Sequence, residues 1–178
     1  MSVSVRVRPA VDDDAATIAR VHVDSWRGAY RGLLPDRILD GLSVAGREGL
    51  WRQRIAPASR GPRTLVAEVG GSVEGFVTFA VRARDVEEPP GVGEIPALYV
   101  SPSTWRSGVG TALLAAALDG LRAAGCREAI LWMLDGNRRA ARFYRSRGWA
   151  DDGGRRRSQY FPDETGLVEA RLRRPVGG

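Results

Sequence analysis

Between Gly93 and Leu114 the chain reads GEIPALYV, then SPSTW, then RSGVGTALL. A short apolar run closed by a Pro/Ser turn has the form of a buried strand, and the glycines at 108 and 110 open a helix. No other stretch constrains the fold as much as this strand–turn–helix unit. A helix that starts this way presents backbone N–H groups without intrahelical acceptors, together with the positive end of its dipole. Such an end seats a phosphate or pyrophosphate, because no Cβ holds the ligand away from the backbone.

Two nucleotide motifs compete for the stretch and fail. A Walker A loop needs a Lys before Ser or Thr to reach the terminal phosphates, and the chain contains no Lys. A dinucleotide fingerprint needs Gly or Ala three residues after Gly110, where Leu113 stands. It would also follow the first strand, not lie past the middle of the chain.

Periodicity supplies the surrounding elements. Val3 to Arg8 alternates as a half-buried strand, and Asp12-Asp13-Asp14 precedes a helix over Ala15 to Trp26. A second helical stretch runs from about Pro35 to Ile55 and breaks near Gly41. Gly70-Gly71 joins two strands as a hairpin. Asp85 to Gly93 reads as an acidic loop. The strand at 94–100, a helix from Gly108 to Ala124, a strand at 128–134 and a helix over Asn137 to Arg147 follow. Two strands around the turn FPDETG close the chain. No linker or repeat interrupts this order, so residues 1–178 read as one domain.

A second motif, LWMLDGNRRAARFYRSRGW, lies downstream. The two motifs together resemble those of the GNAT acetyltransferase superfamily. Its first motif is a strand, Val-x-Pro, then (Gln/Arg)-x-x-Gly-x-(Gly/Ala); Val100, Pro102, Gly108 and Gly110 fit it. Its second is matched by Asn137, Ala140, Phe143, Tyr144, Gly148 and Trp149. One position departs: Trp105 stands where the family has Gln or Arg, and Arg106 follows one residue later. The resemblance covers nearly the whole chain. It implies an α/β (α+β) fold, a mixed and mostly antiparallel sheet flanked by helices, with one splayed parallel pair at 94–100 and 128–134. The crossover helix between them starts at Gly108. Pro96, which removes a ladder bond, is expected at a bulge or opening of the first of these strands.

What the resemblance implies chemically is acyl transfer from acetyl-coenzyme A to a primary amine, with coenzyme A as co-substrate and no metal. The cofactor would lie along Leu98, Tyr99, Val100, Arg106, Ser107, Gly108, Val109, Gly110, Thr111, Asn137, Ala140 and Tyr144. Asn137 and Tyr144, seven residues apart, share a helix face over about 10.5 Å; Asn137 also suits an N-cap. An alkylamine is neutral in only about one molecule in 2,500 at pH 7, so the reaction needs a proton acceptor. Glu94 occupies the family-like position for that base. Tyr144 would hydrogen-bond the departing thiolate, and a backbone N–H near Leu98 would serve as oxyanion hole.

The acceptor is less legible. Trp26, Tyr30, Trp132 and the acidic run with Glu87 stand where the family builds its acceptor site, and acids with aromatics suit a cationic amine. A polyamine, an aminoglycoside, an amino acid and a protein N-terminal amine all meet that description. A non-catalytic coenzyme A sensor and a protein N-terminal acetyltransferase are the alternatives.

The charge balance, 27 arginines against 21 acids, is compatible with an anionic ligand and also suits nucleic acid. The arginines are spread along the chain and no recognition motif accompanies them, so nucleic acid is not an expected partner. No apolar run of about 18 residues exists to span a membrane. A lone cysteine, Cys126, and no signal pattern point to a cytoplasmic setting. Cys126 is expected to be a small buried residue, and the single His22 structural or exposed rather than catalytic. The resemblance leaves a homodimer open.

Overall fold

Hydrophobic patterning sorts the chain into two layers of helices on a twisted sheet. The computed structural model describes residues 4–55, 61–84, 87–158 and 166–177. Its elements run β1 (Val5–Pro9), α1 (Ala15–Tyr30), α2 (Asp36–Asp40), α3 (Val44–Ile55), β2 (Arg63–Val69), β3 (Ser72–Ala80), β4 (Val92–Val100), α4 (Val109–Ala123), β5 (Glu128–Leu134), α5 (Arg138–Arg145), β6 (Ala150–Arg157) and β7 (Val168–Pro175). The order expected from the sequence is present. Residues 161–165 of the FPDETG turn lie outside the described residues, as do Asp85 and Val86 of the acidic loop. No helix among the described residues is long and apolar enough to cross a membrane.

The seven strands form one sheet in the order β1-β2-β3-β4-β5-β7-β6. Every neighbouring pair is antiparallel except β4 with β5. Helix α4 supplies the crossover between that parallel pair, which cannot be joined by a tight turn. Its buried residues Val109, Leu113, Leu114, Ala117, Leu118 and Leu121 recur at helical spacing. They pack on Val77, Ile95, Ala129 and Leu131 of the sheet. Each fully buried leucine stabilises the fold by roughly 2 kcal/mol. On the opposite face α1 and α3 bury Ile18, Ala19 and Trp51 against Val66 and Phe76.

Two of the boundaries that differ from the sequence reading bear on the site. Helix α1 continues past Trp26 to Tyr30. Its last turn holds no proline, and Gly28 there lies so close to Trp105 that a Cβ would come within 2.9 Å of the indole. Strand β4 begins at Val92, ahead of Glu94, because Val92, Gly93 and Glu94 pair with Glu128, Ala129 and Ile130.

Candidate active site

The site is an opening in the sheet. Pairing of β4 with β5 ends at Glu94 and Ile130. Beyond it β4 stays on β3 through Val100, opposite Gly75, and β5 stays on β7 through Leu134, opposite Glu169. The parallel pair therefore splays, as the motif implied. The register explains the departure. Between Thr78↔Ala97 and Ala80↔Glu94, β3 advances two residues while β4 advances three. The extra residue is a bulge at Ile95–Pro96, where proline has no N–H to donate.

The bulge also sets which backbone groups face the gap. Ser101 N–H donates to Glu74 O at 2.8 Å, so 74 and 101 are a hydrogen-bonded pair. Alternation along an antiparallel ladder then turns Tyr99 and Ala97 towards β3, and Leu98 and Val100 towards the opening. The Leu98 N–H thus points into the gap, the place expected for an oxyanion donor. The Val100 carbonyl points the same way and accepts from Trp105 Nε1 at 2.8 Å. Tyr99 requires a correction: its backbone is spent on β3, and its ring lines the pocket with Trp26, Tyr30 and Trp132, stacked on His22 at 5.0 Å between centroids.

At the wide end stands the first turn of α4. Gly108 caps it with φ +93° and no side-chain bond. The N–H groups of Val109, Gly110 and Thr111 follow, and a helix offers these no internal acceptor. The Val109 side chain is fully buried in the core, so only its backbone N–H is available at the helix start. Arg106 adopts φ +64°; a non-glycine residue there is uncommon. Ser107 turns its hydroxyl to Thr104 O at 2.6 Å, which shapes the turn. Trp105 is structural: besides the bond to Val100, its ring carries the Arg139 guanidinium at 3.2 Å from the centroid. That face-on contact is favourable by about 0.5–2 kcal/mol.

Helix α5 forms the other wall. Asn137 is its N-cap, with Oδ1 accepting from Ala140 N–H at 3.1 Å, and the side chain is buried. Tyr144, one face along, is buried in edge contacts with Phe143 and Trp149. Burial pushes its phenol above the usual tyrosine range, and neighbouring Tyr30 adds to the rise.

Glu94 sits where the strands part and is 1 % exposed. Its carboxylate is not open. It accepts from Arg84 N–H at 2.8 Å and from the Arg84 guanidinium through Nη2 at 2.7 Å and Nε at 3.2 Å. Sequence reasoning missed Arg84, because ten residues and a loop separate the pair.

Trp26, Tyr30 and Trp132, the aromatics expected at an acceptor site, do come together. They line a pocket with Pro96, Tyr99 and Glu169. Two of the acids expected there, Glu87 and Glu88, are elsewhere. Glu87 is exposed and does not line the pocket. Glu88 is held by Arg171 at 2.8 Å and by Arg173 at 2.5 Å on β7. The pocket's carboxylate is Glu169, which accepts from Arg156 Nε at 2.7 Å and Ser158 Oγ at 3.3 Å. Arg156 lies over Trp132 at 4.2 Å. A single acid among the arginines of β7 was the signal for Glu169.

His22 is buried, not exposed. Its Nδ1 accepts from Trp51 Nε1 at 3.1 Å. Desolvation, with Arg47 and Arg54 nearby, lowers its pKa to about 3, so it is neutral. Cys126 is buried as expected, and burial pushes its thiol up.

The model of the Acetyltransferase (GNAT) family matches residues 26–149 of this chain. Among curated proteins, the chain is 34% identical over 133 residues to the uncharacterised N-acetyltransferase YuaI of Bacillus subtilis, covering 75% of this chain and 73% of YuaI. It is 32% identical over 153 residues to the probable N-acetyltransferase Rv2775 of Mycobacterium tuberculosis, covering 84% and 82%. Among solved structures, the PaiA N-acetyltransferase of Thermoplasma acidophilum in complex with coenzyme A superposes with a TM-score of 0.77 at 18% identity, over 97% of this chain and 99% of that one.

Proposed function

Because the chain belongs to the GNAT family of acetyltransferases, we propose that it transfers the acetyl group of acetyl-coenzyme A to a primary amine of a small molecule or peptide, by direct attack in a ternary complex. The observation that carries this reading is the opening of β4 from β5 beyond Glu94, with the Leu98 N–H turned into it. The coenzyme A complex of a structural neighbour with the same fold supports the donor.

In this mechanism the pyrophosphate rests on the first turn of α4 and the pantetheine arm runs between the splayed strands. The thioester carbonyl meets the Leu98 N–H, which stabilises the oxyanion formed on attack. Tyr144 donates a hydrogen bond to the departing thiolate. Full proton transfer is uphill by about 2 kcal/mol from ordinary pKa values, and burial of the phenol adds to that. Glu94 takes the amine proton, directly or through water, once Arg84 moves aside. The Arg84 side chain is 51% exposed against 2% for Glu94, so it has room to move. The acceptor amine enters past Trp26, Tyr30 and Trp132, a lining that suits an amine carried on an apolar body.

One observation favours a second reading, a coenzyme A sensor without turnover: the Arg84 clamp on the expected base. A thiol-release screen of an amine library with acetyl-coenzyme A, with mass spectrometry of the product, separates the two. Acetylated amine supports the enzyme. Coenzyme A binding with no thiol release from any amine overturns it.

A further inference from the structure

Position 105, Gln or Arg in the motif, is Trp here, and a different arginine stands beside the same helix start. Trp105 faces inward and is neutral. Arg106 is exposed and makes no anchoring bond among the described residues. Arg147, from the turn between α5 and β6, instead reaches across to the first turn of α4. Its Nη2 donates to Thr111 Oγ1 at 2.7 Å. Its Nη1 donates to Phe143 O at 2.8 Å and Ser146 Oγ at 2.9 Å. The guanidinium lies over the Phe143 ring at 3.9 Å. That ring packs in turn against Gly110. The backbone is braced as well, since Arg174 Nη1 donates to Arg147 O at 2.8 Å. The guanidinium is thus held in place beside the helix start, and little order has to be gained on binding.

The state of its donors matters more. Nε and Nη2 form the side edge of a guanidinium, the fork that matches two oxygens of a phosphate. One prong of this fork rests on Thr111. The other, Nε, is buried without any acceptor among the described residues. A buried donor left without a partner is unfavourable unless a ligand supplies one.

We propose that Arg147, with Thr111, is the side-chain cation of the pyrophosphate seat, delivering from the α5–β6 turn the charge that Trp105 does not provide. This assignment rests on the coenzyme A reading above. The test is calorimetry with three ligands: coenzyme A, its 3′-dephospho form, and pantetheine, which lacks the pyrophosphate. Arg147→Gln is expected to weaken the first two equally, by roughly ten-fold, to leave pantetheine unchanged, and to flatten the salt dependence of coenzyme A binding. Arg147→Lys, which keeps the charge but not the fork, is expected to recover part of the loss. Unchanged coenzyme A affinity in Arg147→Gln overturns the assignment. So does a loss confined to coenzyme A, which would place the 3′-phosphate there, and so does an equal loss for pantetheine, which would make Arg147 structural. A wild-type chain that binds pantetheine but not coenzyme A also overturns it. A wild-type chain that binds none of the three overturns the coenzyme A reading itself.

Discussion

Two glycines of one motif should respond oppositely to the same added methyl group. Gly108 has φ +93° and nothing within 4 Å of the place a Cβ would occupy. Gly108→Ala therefore meets no clash in the free protein, and its cost is conformational, about 1–2 kcal/mol for an L-residue with left-handed backbone. At about 2–4 °C per kcal/mol for a chain of this size, the melting temperature should fall by roughly 2–8 °C. The open space in front of Gly108 is where the pyrophosphate is proposed to sit. A methyl group there holds the phosphate off the N–H groups, and one weakened charge-assisted bond, about 1.5–3 kcal/mol, lowers affinity by roughly 10- to 100-fold. Gly110 is different. Its backbone is helical, and a Cβ would lie 3.4 Å from the Phe143 ring and 3.6 Å from Val100 Cγ2, ordinary contacts facing the protein. Gly110→Ala should leave the melting temperature level or slightly higher, since alanine is favoured in helices by up to about 1 kcal/mol, and should keep coenzyme A affinity. Thermal unfolding and calorimetry on both variants read these separately. Wild-type affinity in Gly108→Ala, or an equal loss in Gly110→Ala, would refute the placement of the ligand on the Gly108 side of the turn.

Three further outcomes follow from the geometry. Tyr144→Phe keeps the edge contacts with Phe143 and Trp149 and should cut turnover by roughly ten-fold or more with little change in melting temperature; because burial holds the phenol protonated, the wild-type rate should show no tyrosine titration below pH 9, and an unchanged rate in the variant removes Tyr144 from the mechanism. Glu94→Gln should lower turnover by roughly ten-fold or more and Arg84→Gln should not; the reverse pattern in a thiol-release assay would make the pair structural only. His22, with its pKa lowered to about 3, binds its proton more readily in the unfolded chain, so its contribution to stability is complete above about pH 6.5 and is lost as pH falls from there towards 3. Denaturant unfolding from pH 7 to 4 should show this loss, and His22→Phe should flatten it; an unaltered pH profile in that variant would show that His22 is not the group responsible.

Much of the fold was legible because it rests on local signals. The hairpin at Gly70-Gly71 follows from turn chemistry, the α4 stripe from helical spacing, and the opening at Pro96 from a missing donor. Each is a property of residues adjacent along the chain or within a turn of one another. The proposed donor site draws on signals of the same kind: its seat is a continuous segment, 108–111, and the Asn137–Tyr144 face is a single helix. The pocket proposed for the acceptor was not legible in full, because its parts are remote in sequence. Trp26, Tyr99, Trp132 and Glu169 meet only after four elements pack. Composition put acids in the loop before β4, whereas tertiary pairing drew Glu88 onto β7 arginines and left Glu169 as the pocket's carboxylate.

The sequence by itself determined the strand–turn–helix unit, the splayed sheet and the family. Only the tertiary structure decided that Glu94 is clamped by Arg84, that Trp105 spends its indole on Val100, and that Arg147 stands beside Thr111. Spacing and propensity specify backbone conformation over a few residues. Which charged side chain meets which partner depends on contacts between residues 10 to 85 positions apart, and no local pattern encodes those.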